Sequence, residues 1–394
     1  MSDETHSTNA PRSGQHHRGR RLALVLATVV VAGAGTTAAI ALNRPDGTAP
    51  ESAPSPISGT IWVANEDGAS LSAIDAATNK VATTVTGIEG PHNVQVSPDG
   101  HSVWAVSGHD SMAVMLDAKS LQPHGFMATG PMPAHVVVSP DGRTTYTSNG
   151  GDNTVSVIDV ATMQTAATIP VGTGPHGLRP SPDGKLVYVA DMGGTTLSVI
   201  DTATRERVAD IEVGKAPAQV AFSPDGRYVY ASLSGGAAVA KVDVATRTLV
   251  GKVDVGQVPI QTFVSPDGRY LLAANQGTKD QPGTTVSVID TEGFTMVADV
   301  ETGKGAHGVV VDPSSRYAYI TNLYSDDVAV LDLTQLRVVT HVPVGDKPNG
   351  ISFSTAQVSQ QPPVAIKARR SQDHVGRRRL RTRGHEALTT VLRG

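Results

Sequence analysis

The 394-residue chain predicts an all-β fold: a seven-bladed β-propeller with four-stranded blades, its ring closed by the C-terminal strand completing the first blade. Three columns in register carry that prediction. A turn signature, Ser-Pro-Asp-Gly, recurs at Ser97–Gly100, Ser139–Gly142, Ser181–Gly184, Ser223–Gly226 and Ser265–Gly268, and degenerates to Asp-Pro-Ser-Ser at Asp312–Ser315. Aspartate recurs at Asp75, Asp117, Asp159, Asp201, Asp243, Asp290 and Asp332, with successive spacings of 42, 42, 42, 42, 47 and 42 residues. Pro91, Pro133, Pro175, Pro217, Pro259, Ala306 and Pro348 repeat with the same spacing. Independent columns at one period are the signature of a repeat architecture.

Each unit reads as four short strands bounded by Asp-Gly, Gly-Gly and Ala-Thr turns. Four strands in about 42 residues is the period of a propeller blade. Seven aspartates then mean seven blades. The first unit begins at its second strand, Thr60 to Ala64, and Asn349 to Ser354 supply its missing first strand. Such closure removes the sheet edges that would otherwise pair with other chains. The second-strand column, Trp62, Trp104, Tyr146, Tyr188, Tyr230, Leu272 and Tyr319, reads as packing between blades, because nearly every blade repeats it. The aspartate column reads as acceptors for backbone N–H groups in the turn between third and fourth strands. The sixth unit carries five extra residues in the loop Gln276 to Gly283, which reads as surface variation.

The flanks divide the rest. Residues 1–21 form a basic segment expected on the cytoplasmic side, and 22–42 an uncharged stretch long enough to span a bilayer. That stretch reads as a transmembrane signal anchor, or as a signal peptide that is cleaved. A Pro/Ser-rich linker follows at 43–59, then the propeller at 60–354 and a basic, disordered-looking tail at 355–394. The expected location is the cell membrane, single-pass with the propeller outside the cytoplasm, or secretion if the segment is cut. The net charge of -4 divides into +1 for residues 1–59, -12 for 60–354 and +7 for the tail. An acidic ring argues against broad nucleic-acid affinity from the propeller itself. The tail is the expected contact for an anionic polymer. With no cysteine, the chain has no disulfide, thiolate metal site or thiol nucleophile.

The segments Tyr319-Ile320-Thr321-Asn322 and Trp62-Val63-Ala64-Asn65, with the recurring Ser-Val-Ile-Asp and Ser-Pro-Asp-Gly, resemble the YVTN β-propeller repeat family. By pattern the chain is similar to YncE-like extracytoplasmic propeller proteins. The resemblance covers about 300 residues. It implies the fold strongly and a function weakly, since such relatives range from surface-layer proteins to lactonase-like and nucleic-acid-binding propellers.

Propellers bind ligands around the central channel, so the positions after the proline column are the candidate site. The channel-rim candidates are His92, Asn93, His135, His176, Gln219, Gln261, His307 and Asn349. Neutral imidazoles suit transition metals, and His92, His176 and His307 occupy equivalent ring positions, which makes them the weak metal candidates. Against this, equivalent residues in opposite blades are expected to stand too far apart to share one ion. Arg179 and Gln219 are the groups placed to assist an anionic ligand. No nucleophile elbow, His-Glu-x-x-His motif or phosphate loop is present, so no catalytic residue is assigned. No cofactor is expected beyond a transition metal. The sequence therefore favours a binding or scaffold propeller that presents its channel rim to a small molecule, peptide or protein, and leans against an enzyme. The alternatives are a lactonase-like or metal-assisted hydrolase acting in the channel, and a nucleic-acid-binding propeller.

Overall fold

A computed structural model describes residues 57–367. The expectations for 1–21, 22–42, most of the linker and the tail beyond residue 367 fall outside the described residues. Among those described, no helix is long and apolar enough to cross a membrane.

Seven antiparallel sheets are present, six of them four-stranded with strands in chain order. In blade 1 the strand Pro348–Ser354 lies innermost, beside Thr60–Asn65, Ser70–Asp75 and Lys80–Thr86. The pairs Thr60 with Ser354, Ile61 with Phe353 and Trp62 with Ser352 join the two ends of the repeat and close the ring. The chain then continues past Ser354, where the repeat ends. Val364–Ala365 adds a fifth, parallel strand beside Val85 and Thr86, and Val358 and Ile366 are buried against blade 1. Residues 355–367 thus dock on the ring and cover the outer edge of its closing blade.

The repeat's columns do what their chemistry suggests. The second-strand aromatics are buried between neighbouring blades; Tyr188, for example, packs in one cluster with Val220 and Val229 of the next blade. Each such burial stabilises by about 2–3 kcal/mol. In the Ser-Pro-Asp-Gly turns, Ser139 Oγ donates to Asp141 Oδ1 at 2.6 Å and accepts the Thr144 N–H at 3.0 Å, while the Gly142 N–H donates to the Ser139 carbonyl. Gly142 has φ 72°, which glycine adopts without a Cβ penalty. In the degenerate turn, Asp312 takes the serine's place and accepts the N–H groups of Ser314, Arg316 and Tyr317. The aspartate column caps the third turn: Asp159 Oδ1 accepts both the N–H and the hydroxyl of Thr162 at 2.8 Å.

One irregularity positions the site. The innermost strands of blades 3 to 7 each slip register against their neighbour just after the proline column, for instance between Pro175 and Leu178. An extra residue in one strand reverses the side-chain alternation beyond it. Side chains near both ends of one inner strand, such as His176 and Arg179, therefore turn to the channel.

Candidate metal centre at the channel mouth

The inner strands start at one end of the channel, and the hairpin turns after the second strands lie at that same end. Here the contacts His92–His176 and Gln219–His135 each join residues 84 positions apart. That is two blades, a separation bridged only across the channel. His92 Nε2 and His176 Nε2 lie 3.1 Å apart. Ring centroids are 5.2 Å apart for His92 and His176, 4.7 Å for His135 and His176, and 5.7 Å for His92 and His135. One nitrogen from each of His92, His135 and His176 lies within 4.8 Å of the other two. His307 stands beside His92, with ring centroids 5.9 Å apart.

Hydrogen bonds fix most of the ring protons. His176 Nδ1 donates to the Ala218 carbonyl at 2.8 Å, which leaves a bare lone pair on Nε2. His307 Nδ1 donates to Gln276 Oε1 at 2.6 Å, and its Nε2 is buried without a partner. His135 Nε2 is likewise buried without a partner. Its Nδ1 faces the Gln219 amide nitrogen at 3.3 Å, and Gln219 is held in that orientation by the Val220 N–H on its Oε1. Ligation through His135 Nε2 exchanges this long contact and moves the proton to Nδ1. The Ser148 hydroxyl latches two of the rings' backbones, accepting the His135 N–H at 3.1 Å and donating to the His176 carbonyl.

Behind His92 sits Glu66, in the turn after the first repeat strand. Glu66 Oε2 lies 3.3 Å from His92 Nδ1 and accepts from Asn349 Nδ2 at 2.6 Å, while Oε1 accepts from Lys347 Nζ at 3.0 Å. Burial raises the Glu66 carboxyl, but the His92 hydrogen bond and the charges of His92 and Lys347 outweigh it and hold the group well below the usual carboxylate range. Burial, then the repulsion of His92, pushes His176 down to about 3. Burial and the neighbouring imidazoles also hold His135 and His307 well below the ordinary histidine value. The buried rings are thus neutral, the form in which imidazole binds metal.

The donor set fits one transition-metal ion. Two nitrogens each about 2.1 Å from an ion are ~3.0–3.4 Å apart for angles between a right angle and the tetrahedral one. The 3.1 Å between His92 and His176 falls in that range. A carboxylate behind a ligating histidine is the usual supporting partner. His92 Nδ1 also lies 3.0 Å from Asn349 Nδ2. The cluster can coordinate a metal, as the sequence allowed, but its membership is corrected. His135, absent from the sequence's ligand set, joins His92 and His176, and His307 lies just outside. The three rings come from consecutive blades, so the cluster needs no contact between opposite blades.

The other rim candidates divide. Gln219 and Asn349 join the cluster, whereas Asn93 Oδ1 is spent on the Val136 N–H at 3.2 Å. Gln261 is buried, with its amide nitrogen unpartnered. Sequence reasoning missed Glu66 and Gln276. Glu66 immediately follows the second strand and Gln276 holds the equivalent position in a strand that runs on to Gly277, where other blades carry Gly108, Gly150, Met192, Ser234 and Leu323, and that departure was the available signal. Gln276 also opens the five-residue insertion, so one end of that loop holds His307 in place.

Comparison with known proteins agrees with the fold. A YncE-like β-propeller family model matches residues 129–234, and a cytochrome d1 haem domain model matches 192–283. A chain of hydrazine synthase from Kuenenia stuttgartiensis is 27% identical, with TM-score 0.62, covering 68% of this chain and 91% of that one. A putative 6-phosphogluconolactonase from Bacteroides uniformis is 17% identical, with TM-score 0.63, covering 75% and 99%. The dihydro-haem d1 dehydrogenase NirN is 16% identical, with TM-score 0.56, covering 79% and 77%. The last two likenesses bear on fold alone. No curated protein matches the sequence significantly.

A haem does not fit this site. The stretch matched by the haem-domain model contains no histidine. At the channel mouth the imidazoles stack edge to face at 4.7–5.9 Å, so neighbouring rings stand where a macrocycle would lie. The sequence's leaning against an enzyme is overturned by two findings: imidazoles from three blades converge on one point, and the chain is similar over most of its propeller to a hydrazine synthase chain. The site has catalytic potential.

Proposed function

We propose that this YncE-like seven-bladed propeller is a metal-dependent enzyme of the extracytoplasmic space, a hydrolase of ester or lactone carbonyls acting at its channel mouth. The observation that carries the reading is the convergence of His92, His135 and His176 within 4.8 Å, with buried imidazole nitrogens left unpartnered beside it. A divalent ion in such a site supplies Lewis acidity and acidifies bound water. The chain's own residues do the rest. His176 is locked by the Ala218 carbonyl with its lone pair toward the channel. Glu66, held ionised by His92, Lys347 and Asn349, orients the His92 ring rather than moving a proton.

The test is metal analysis of the purified full-length chain after loading with Zn²⁺, followed by hydrolysis assays on δ-valerolactone and 4-nitrophenyl acetate. One ion per chain is expected, with turnover above the buffer rate that disappears on stripping the metal. Zn²⁺ at about a hundredfold over its Kd should stabilise the fold by about 2.7 kcal/mol. An ion-free ring at micromolar Zn²⁺ would sink the reading. We further propose that residues 22–42 tether the propeller outside the cytoplasm or are removed on export. On that reading the basic tail touches anionic polymer. Fractionation and mass measurement of the mature N-terminus decide the first point.

A further inference from the structure

We propose that the channel holds a second site, at the far end from the histidines, in which Arg179 binds the carboxylate of a small monocarboxylic acid with an apolar body. This goes beyond the metal reading and does not depend on it. A cavity of about 270 Å³ opens where the inner strands end, lined by residues from five of the seven blades' inner strands and their turns. Arg179 is the one charged residue in its lining. Apolar walls come from Phe263, Val311, Ile351 and Phe353.

The guanidinium is underused. Arg179 Nη1 donates to Gln95 Oε1 at 2.6 Å, across the channel from two blades away. Among the described residues it has no carboxylate partner within ion-pair distance, although the ring is strongly acidic. Burial alone pushes its pKa down, to about 10, with no acidic neighbour opposing it. It remains charged at neutral pH with most of its five donors free. Gln95 cannot turn away easily, since its amide donates to the Val96 carbonyl at 3.1 Å. A partly buried cation without a counterion is costly, and a planar fork of donors matches a carboxylate. The walls argue against a fully hydrated oxyanion and for an acid that leaves an apolar body against Phe263 and Phe353. Arg179 and His176 lie three residues apart on one inner strand, about 10 Å at ~3.3 Å per residue. An acid held at one end thus points along the channel toward the other.

The experiment titrates chelator-treated full-length protein with hexanoate, acetate and inorganic phosphate by calorimetry, so that failure of the metal reading leaves it intact. Saturable hexanoate binding is expected, about tenfold or more tighter than acetate or phosphate, and weakened about tenfold or more by Arg179→Met. Gln95→Glu gives Arg179 an internal carboxylate, so it should raise the melting temperature without ligand and abolish hexanoate binding. That variant keeps the test decisive if Arg179→Met fails to fold. No hexanoate binding, equal binding by both variants, or phosphate binding as tightly as hexanoate would each overturn the proposal.

Discussion

At one end of the inner strands the molecule repeats itself, and at the other it does not. Where these strands finish, five turns are the same four residues, and in each the serine hydroxyl donates to the aspartate carboxylate and the glycine N–H donates to the serine carbonyl. Where they start, the residues after the proline column are His92, Ala134, His176, Ala218, Ile260, His307 and Asn349. There, imidazole nitrogens of His135 and His307 are buried without partners. Both ends belong to one repeating unit and share one backbone. The repeated, internally satisfied turns hold the ring together. The varied, unsatisfied end has given up local hydrogen bonds that a purely structural ring would keep, and a buried polar atom without a partner calls for an external one.

The comparison breaks if the mouth is only structural, and four measurements try to break it. His176→Ala should lower Zn²⁺ affinity by more than about a hundredfold, beyond what outer partners achieve. An unchanged titration would make the mouth no different from the turns. Glu66→Gln should cost about 10–100-fold in the same titration, because it removes the charge behind His92 while keeping its shape.

The third measurement concerns Asp191, which sits in a column occupied by Asn65, Asn149, Asn275 and Asn322 in other blades. The amides of Asn65, Asn149 and Asn275 donate to serine and threonine hydroxyls, for instance Asn149 Nδ2 to Thr154 and Ser156 at 2.9 Å, while Asn322 donates to the Thr302 carbonyl and to Asp327. Asp191 instead accepts from Thr196 and Ser198, with its other oxygen unpartnered. Burial, opposed by those two hydrogen bonds, raises its carboxyl from 3.8 to about 6. Folded protein therefore binds more protons than unfolded between those values, and stability falls as pH rises from about 4 to 6. Asp191→Asn should remove that slope and stabilise the ring by roughly 1–3 kcal/mol at pH 7, read by urea denaturation across pH. The smallest effect belongs to the repeated turns: Ser139→Ala should cost about 1 kcal/mol and leave Zn²⁺ affinity untouched.

Much of the fold was legible because a repeat states its constraints several times. Three columns were enough to count blades, find the permuted first unit and assign Asp159 and its equivalents to turns. The docking of residues 355–367 was not legible, because a single pass along blade 1 leaves no period, and its apolar positions Val358 and Ile366 stand in a stretch of polar residues and proline. For the site, the rim column was legible and its geometry was not. His135 sits one place later than His92 and His176, and a regular strand would send it to the opposite face. The register slip beside Pro133 changes that alternation, and no residue in the sequence announces it. Glu66 and Gln276 come from a different strand and meet the histidines only because antiparallel hairpins return to the same end of the ring.

The sequence by itself determined the number of blades, the closure and the band of positions that faces the channel, because local turn chemistry and period-two patterning act over a few residues. Only the tertiary structure decided which imidazoles meet, which carboxylate stands behind them and which cation is left without a partner. Those contacts join different blades, 26 residues apart for Glu66 and His92 and 84 for His92 with His176 and for Arg179 with Gln95, and their distances depend on how narrow the ring is and how far each side chain leans across it.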